Sequence, residues 1–446
     1  MFSLIAKQFI RSKTVIFIFV LILIMGITSI LIGKQFLAKQ EKTIAQVTRQ
    51  QEEHIERNVA YHEDEFGLLM YYLRFALINK PDKLSALSIG QRDINPSLQS
   101  VTIRNLEGQK YDTDLNNPAN LQSGNLDFGF VIIYLFPLLI IAFTFNLLSE
   151  ENETGTWRLI AIQSKSKIRF LWYKLSIRAL MIYASLAILF AIAILALSLE
   201  LNGSLAQFIV LSVLYLTFWF VLCFWVVSFQ RNSSFNLLTL LSLWVVLAIL
   251  LPATINNFLA NKYPVPEALS TMVKQRDGYH KKWDMDKQET IEKFYAHYPQ
   301  YKNYTDTTEG FGWMWYYAMQ QMGDDESLEQ SNAMREKLMQ REHASRLIAL
   351  AIPTMYTQLL FNDIANTSLG DHLAFQDKTN EFHEKTRLYF YPKIFENRPV
   401  KSEDWSQFKP KYFSKNTDSH PLKLIWPLIS IITIMFAGIM MNTRKI

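Results

Sequence analysis

The sequence carries one cysteine, Cys223, in 446 residues. A disulfide within the chain is therefore excluded, and cysteine usage says little about compartment. There is no GxxxxGK[ST] phosphate loop, so ATP hydrolysis by the usual route is excluded. There is no HExxH zinc motif; His383-Glu384 is a near miss, with Arg387 where the second histidine would stand. No CxxC pair and no Gly-x-Ser-x-Gly elbow occur, which removes the thioredoxin-like and serine-hydrolase signatures. Neither sign of charge dominates. Lys and Arg total 45 against 40 for Asp and Glu, and this balance does not point to nucleic acid.

The most informative absence is local. Six runs contain no Asp, Glu, Lys, Arg or His: Thr14–Gly33, Phe128–Ser149, Ala179–Leu199, Leu205–Phe229, Asn236–Ile255 and Leu424–Met441. Each is near the roughly 20 residues that a helix needs to cross the hydrocarbon core. Six such runs in one chain predict a mainly α membrane protein with six transmembrane helices. The first run is too long for the apolar region of a cleaved signal, and no small-x-small site follows it, so it reads as a retained span. Ion-coupled transporters keep ionisable groups within the membrane. Their absence here argues that any energy enters from outside the bilayer.

Basic flanks set the orientation. Lys7, Arg11 and Lys13 precede the first span; Lys165, Lys167, Arg169, Lys174 and Arg178 lie between spans two and three; Arg231 follows span four; Arg444 and Lys445 follow span six. All fall on one side if both termini are cytoplasmic. The expected organisation is an elbow helix and first span over 1–33, an extracytoplasmic domain over 34–127, spans two to five over 128–255 with a cytoplasmic loop at 149–171, a second extracytoplasmic domain over 256–421, and the sixth span with a cytoplasmic tail over 422–446. At the N-terminus, Phe2, Ile5 and Phe9 share a helical face, with Lys7 and Arg11 elsewhere, as in a helix lying on the membrane surface among lipids.

In the first outer domain Leu37, Ile44, Val47, Ile55, Val59 and Phe66 fall near heptad spacing, a stripe that wants a partner helix. Further on, LQSVTIRNLEGQKYD alternates apolar and polar residues around Glu107-Gly108 and predicts a small β-hairpin. The second outer domain reads as mostly helical, from Asp325 to Ile364 with an interruption at Pro353. Its Met314, Met319, Met322, Met334 and Met339, with His297 and His343, have the chemistry to bind Cu(I), but the pattern favours core packing, and no metal site is expected. Trp313, Trp315, Tyr316 and Tyr317 read as packing too, ahead of a membrane-surface or ligand role. His280, His297, His343, His372 and His383 have no spacing that supports an enzyme site.

The loop after the second span is unusual. It reads Glu150-Glu151-Asn152-Glu153-Thr154-Gly155-Thr156-Trp157-Arg158-Leu159. Gly155 permits a turn, and Thr156 can cap a following helix. Acids near a helix N-terminus are favoured by about 0.3–1 kcal/mol, and Trp157, Leu159 and Ile160 offer an apolar knob. A solvated loop at the lipid surface explains the later Lys and Arg but not the acids or the Gly-Thr pair.

This loop resembles a hallmark of ABC-2-type exporter permeases, which carry a Glu-x-Glu, Gly-Thr and Leu-rich stretch after the second span. Pro118, Leu121, Gly124 and Asp127, then FVIIYLFPLL with Pro137, resemble the approach to span two in one branch with large extracytoplasmic insertions. Pro353, Gly370, His372, Phe375 and Arg387 resemble a late motif of the same branch. Gln8 stands where a Glu is common, and Trp157 replaces a smaller apolar residue.

The resemblance implies the transmembrane subunit of an ATP-driven exporter in a bacterial cytoplasmic membrane. It implies a second permease subunit, identical or paralogous, and a separate cytoplasmic ABC ATPase coupled through Glu150, Glu151, Glu153, Gly155, Thr156, Trp157 and Leu159. ATP and Mg would sit on that partner, with no cofactor held by this chain. The outer segments would gate release or meet a periplasmic partner. Two alternatives stand beside it: a complex of the same kind that transmits force or supports envelope maturation without transport, and, ranked lower, a membrane-bound enzyme.

Overall fold

The computed structural model describes residues 2–110, 125–156, 167–267, 281–304, 310–414 and 421–443, with four further positions between 268 and 280. The side chains of 2–5, 167–169, 421–424 and 443 are outside that description.

Six helices are long and apolar enough to cross a membrane: Lys13–Tyr61, Phe128–Glu153, Phe170–Leu197, Gly203–Val227, Ser233–Lys262 and Ile425–Asn442. Each covers a predicted charge-free run to within two residues at either end. The protein is a mainly α, multi-pass membrane protein with a small three-stranded sheet. The fourth span is the hub of the bundle. Its Phe208, Tyr215, Leu216 and Trp219 are fully buried, and it packs against the second and sixth spans. The fifth span lies at the margin, with 11% of its most apolar stretch buried against 67% for the second.

The two long inter-span segments are not separate bodies. Strand β1 (Phe75–Asn79) pairs antiparallel with β2 (Leu98–Val101) and parallel with β3 (Lys411–Phe413), in the order β2-β1-β3. One hydrophobic core joins Phe66, Leu69, Met70, Phe75 and Ile103 of the first segment to Phe294, Tyr298, Tyr317, Phe390 and Tyr391 of the second. Four spans separate the segments in the chain, an even number, so sharing one core on one side of the membrane is topologically consistent.

The predicted hairpin around Glu107-Gly108 is corrected. That pair lies in a helical turn, Glu107–Lys110, and β2 pairs with β1 in the register Phe75↔Val101 to Ile78↔Leu98. Long-range bonds override the turn signal. Asp324 accepts from the Leu106 N–H at 2.8 Å, and Arg387 donates to the Ile103 and Arg104 carbonyls at 2.9 and 2.7 Å. The helical stripe belongs to a helix with mixed partners. The helix Lys13–Tyr61 packs on the long helix Lys167–Leu197 and also on the 3-10 turn Lys83–Ala86 and on β1. In mid-stripe Gln51 donates to the Phe408 carbonyl (2.8 Å) and accepts from the Ala76 N–H (2.7 Å).

The second segment is more helical than expected, with helices Trp313–Ala349, Pro353–Ile364 and Leu369–Phe395. Pro353 starts its helix, where its missing N–H costs nothing. Met314, Met319, Met322 and Met334 are buried as core residues, as are Tyr316 and Tyr317. Among the described residues no group of three or more His, Cys, Asp or Glu is placed to hold a metal ion.

Candidate coupling site

The second span ends in a short helix, Ser149–Glu153, and its acids lie inside that helix. The chain then turns through Gly155, whose φ of +76° is the left-handed region that favours glycine. The Thr156 hydroxyl does not face forward. It donates to the Glu151 carboxylate behind it, so it closes the helix already formed. Trp157, Arg158, Leu159 and Ile160, and any helix for Thr156 to cap, lie outside the described residues.

Each acid has a distinct position. Glu151 is 17% exposed and receives the Lys174 ammonium at 2.8 Å; Glu150, 49% exposed, lies 3.6 Å from the same nitrogen. Lys174 is itself only 8% exposed. It belongs to the third span, so this pair ties the end of span two to the start of span three. Glu153 accepts from the Ser233 N–H (2.7 Å) and hydroxyl (2.9 Å) at the first turn of span five. A carboxylate there meets unsatisfied N–H groups and the positive end of the helix dipole. Ser149 and Ser233 add a hydroxyl–hydroxyl bond at 2.7 Å. The loop therefore grips three spans at one end of the bundle.

The elbow helix, Phe2–Ile10, is present. Phe9 packs edge-on against Phe143 of span two at 5.3 Å, and the buried Arg178 guanidinium of span three sits over the Phe9 ring at 5.3 Å. Lys7 and Arg11 are exposed, while the side chains of Phe2 and Ile5 are outside the described residues. Elbow, loop and third span meet at one corner.

Sequence reasoning treated Lys174 and Arg178 only as markers of orientation at the membrane surface. Both are buried and face the loop and the elbow. Their i,i+4 spacing, opposite a run of acids, was the available signal. Ser233 carried none, because a serine opening a span reads as an ordinary cap.

The late motif residues are structural. Arg387, 2% exposed, pairs with Asp324 at 2.7 Å and holds the loop after β2. Phe375 is buried, Gly370 lies within the capping box of Ser368 and Asp371, and His372 follows it. Asp127, 6% exposed, opens span two by accepting from the Ile89 and Phe130 N–H groups at 2.8 and 2.7 Å. Pro118, Leu121 and Gly124 lie outside the described residues.

A multi-pass bundle with an acidic helix bonded to two neighbouring spans at one end has the build of a membrane component. Residues 94–213, from β2 through spans two and three into span four, match the family described as ABC-2 membrane transporter related. Residues 268–413, which end on β3, match a domain of unknown function, DUF3526. The first match supports an ABC-2-type permease, the membrane component of an ABC transporter, and the second is consistent with it. No curated protein and no solved structure matches it.

Proposed function

We propose that this permease is the transmembrane half of an ATP-driven exporter in the bacterial cytoplasmic membrane. Both termini and the loop 149–171 face the cytoplasm, and the inter-span domain faces outward. Two permease chains, identical or paralogous, pair in the membrane, and a separate ABC ATPase docks on each loop at Glu150–Leu159. ATP and Mg are held by the ATPase. The apolar spans suit a hydrophobic cargo, such as a lipid, an apolar peptide or a siderophore-like molecule. One observation carries the reading: the short acidic helix is bonded at once to spans three and five through Lys174 and Ser233. A load on this loop is thereby delivered to the bundle. The thin burial of the fifth span, 11%, supports a second permease beside it.

The test is co-purification. Glu151→Lys/Glu153→Lys sets an ammonium against Lys174 and a positive charge at a helix N-terminus, while leaving the charge-free runs untouched. The variant is expected at normal membrane levels, without its ATPase and without ATP-driven export. Retention of the ATPase at wild-type stoichiometry with normal turnover would sink the proposal.

The force-transmission reading keeps one observation in its favour. The helix Lys13–Tyr61 runs unbroken from the first span into the inter-span domain, about 73 Å at the rise of an α-helix. Reconstituted vesicles separate the two readings. ATP-driven movement of an amphiphilic cargo supports export, and ATP turnover that drives only domain motion supports force transmission.

A further inference from the structure

The second and fifth spans repeat one local design. Val131–Leu135 in span two and Val246–Leu250 in span five are wide π-turns. In each, the residue after the turn donates five residues back: Phe136 N–H to the Val131 carbonyl and Leu251 N–H to the Val246 carbonyl. In each the next residue is proline, Pro137 or Pro252. The sequences VIIYLFP and VLAILLP share the pattern V-x-x-x-L-x-P. A π-turn followed by proline loosens the helix twice, through a strained turn and a missing N–H.

Side chains from other helices serve the carbonyls set free. Pro137 has no N–H for the Ile133 carbonyl, and the Tyr215 hydroxyl of span four donates to it at 2.8 Å. The Thr354 hydroxyl, on the helix Pro353–Ile364 of the second inter-span segment, donates to the Leu247 carbonyl. Trp244 Nε1, two residues before the π-turn of span five, donates to the Tyr134 carbonyl within the π-turn of span two at 3.2 Å. From there to the loop, the two spans are tied again by Asn236 to the Phe145 carbonyl (3.1 Å) and by Ser149 and Glu153 to Ser233.

We propose that Val131–Leu135 and Val246–Leu250 form a paired hinge, about which the loop-side halves of spans two and five swing together as one limb. The limb is cross-tied at both its ends, so the two spans cannot bend independently. The far side of the hinge is held still. Asp127 anchors span two to the 3-10 segment at Ile89, Arg341 donates to the Ala260 and Tyr263 carbonyls at the end of span five, and Lys83 bonds the Ser198 carbonyl at the end of span three. The direction of drive rests on the proposed docking of an ATPase at the loop; the hinge itself does not.

The test uses the full chain in nanodiscs, with Cys223 replaced by Ala and spin labels at exposed positions. The pair Ala142/Leu238 lies within the limb, and the pair Leu238/Leu195 crosses the hinge. In the chain alone, the crossing pair gives the broader distance distribution, and Pro137→Ala/Pro252→Ala narrows it by restoring two backbone donors. With the ATPase bound, ATP shifts the crossing pair and leaves the limb pair unchanged. The proline variant still binds ATPase and hydrolyses ATP but loses the shift and at least tenfold in turnover. The hinge is overturned if the variant leaves the distribution as broad as before, or if ATP changes the limb pair. Failure of the unaltered chain to bind an ATPase would count against the functional reading alone, because the widths measured in the chain alone still decide the hinge.

Discussion

Replacing Lys174 by Met should release the loop from the third span. The Lys174 ammonium lies 2.8 Å from Glu151 and 3.6 Å from Glu150. At an effective dielectric constant near 20, the closer attraction alone is about 6 kcal/mol before desolvation is subtracted. Desolvation takes back much of it, because the Lys174 side chain is 8% exposed. Removing one partner of a buried pair typically costs about 3–5 kcal/mol. Glu151 keeps 17% exposure and its bond from the Thr156 hydroxyl, so the lower end applies. Glu150 is half-exposed and adds at most about 1 kcal/mol. A net cost of about 3 kcal/mol corresponds to a rise in loop opening on the order of 100-fold. Amide exchange over residues 150–156 should rise by that factor, while exchange in the inter-span domain stays unchanged. Glu151→Gln/Lys174→Met should cost no more than the worse single variant, a coupling of at least about 1 kcal/mol. Unchanged exchange in Lys174→Met, or additive single effects, would refute the anchoring.

Gly155→Val should weaken ATPase retention through the backbone, because the left-handed conformation at φ +76° costs an L-residue about 1–2 kcal/mol; nothing lies within 4 Å of an added Cβ, so Gly155→Ala should show a smaller effect of the same sign in the same pull-down. Arg387→Leu removes the charge partner of Asp324 and the guanidinium donor to the Ile103 and Arg104 carbonyls and should destabilise the inter-span domain by about 3–5 kcal/mol, read as a lowered thermal midpoint, with Arg387→Lys intermediate because it lacks the fork. Acidification should also weaken that domain. Burial depresses His372 to about 4 and His383 well below its ordinary value, with the Arg387 charge adding to the effect on His383. Both therefore bind protons more readily unfolded than folded. The stability they support is complete above about pH 6.5 and is lost as pH falls toward the folded values, at up to about 1.4 kcal/mol per pH unit for each histidine. Thermal midpoints at pH 7.5 and 5 check the sign, and His372→Asn should flatten the dependence.

The spans were legible because a bilayer imposes a simple rule on composition: charge-free runs of sufficient length. The loop was legible as a distinct element because acids and Gly-Thr between two spans have no lipid-facing explanation. The loop's partners were not. Glu153 meets Ser233 across 80 residues, and Glu151 meets Lys174 across 23, pairings that depend on how spans two, three and five pack. Joining of the two long segments was hidden for the same reason. Gln51 and Phe408, bonded at 2.8 Å, stand 357 residues apart, and no local periodicity encodes such a contact. The hairpin expectation failed where the turn chemistry of Glu107-Gly108 competed with a buried network. Asp324 and Arg387, both from the second segment, capture the backbone of residues 103–107.

The central claim is that the loop after span two is where an ATPase engages this permease. Asn152 is exposed on the loop helix between Glu151 and Glu153, and it suits a photo-crosslinking residue. In intact membranes containing the cognate ATPase, a probe at Asn152 should give one dominant adduct with that ATPase, and probes at Asn58 and Asn303 in the inter-span domain should give none. Dominant crosslinking of the ATPase from Asn58 or Asn303, or an Asn152 probe that captures only lipid while the ATPase remains bound, would contradict the account.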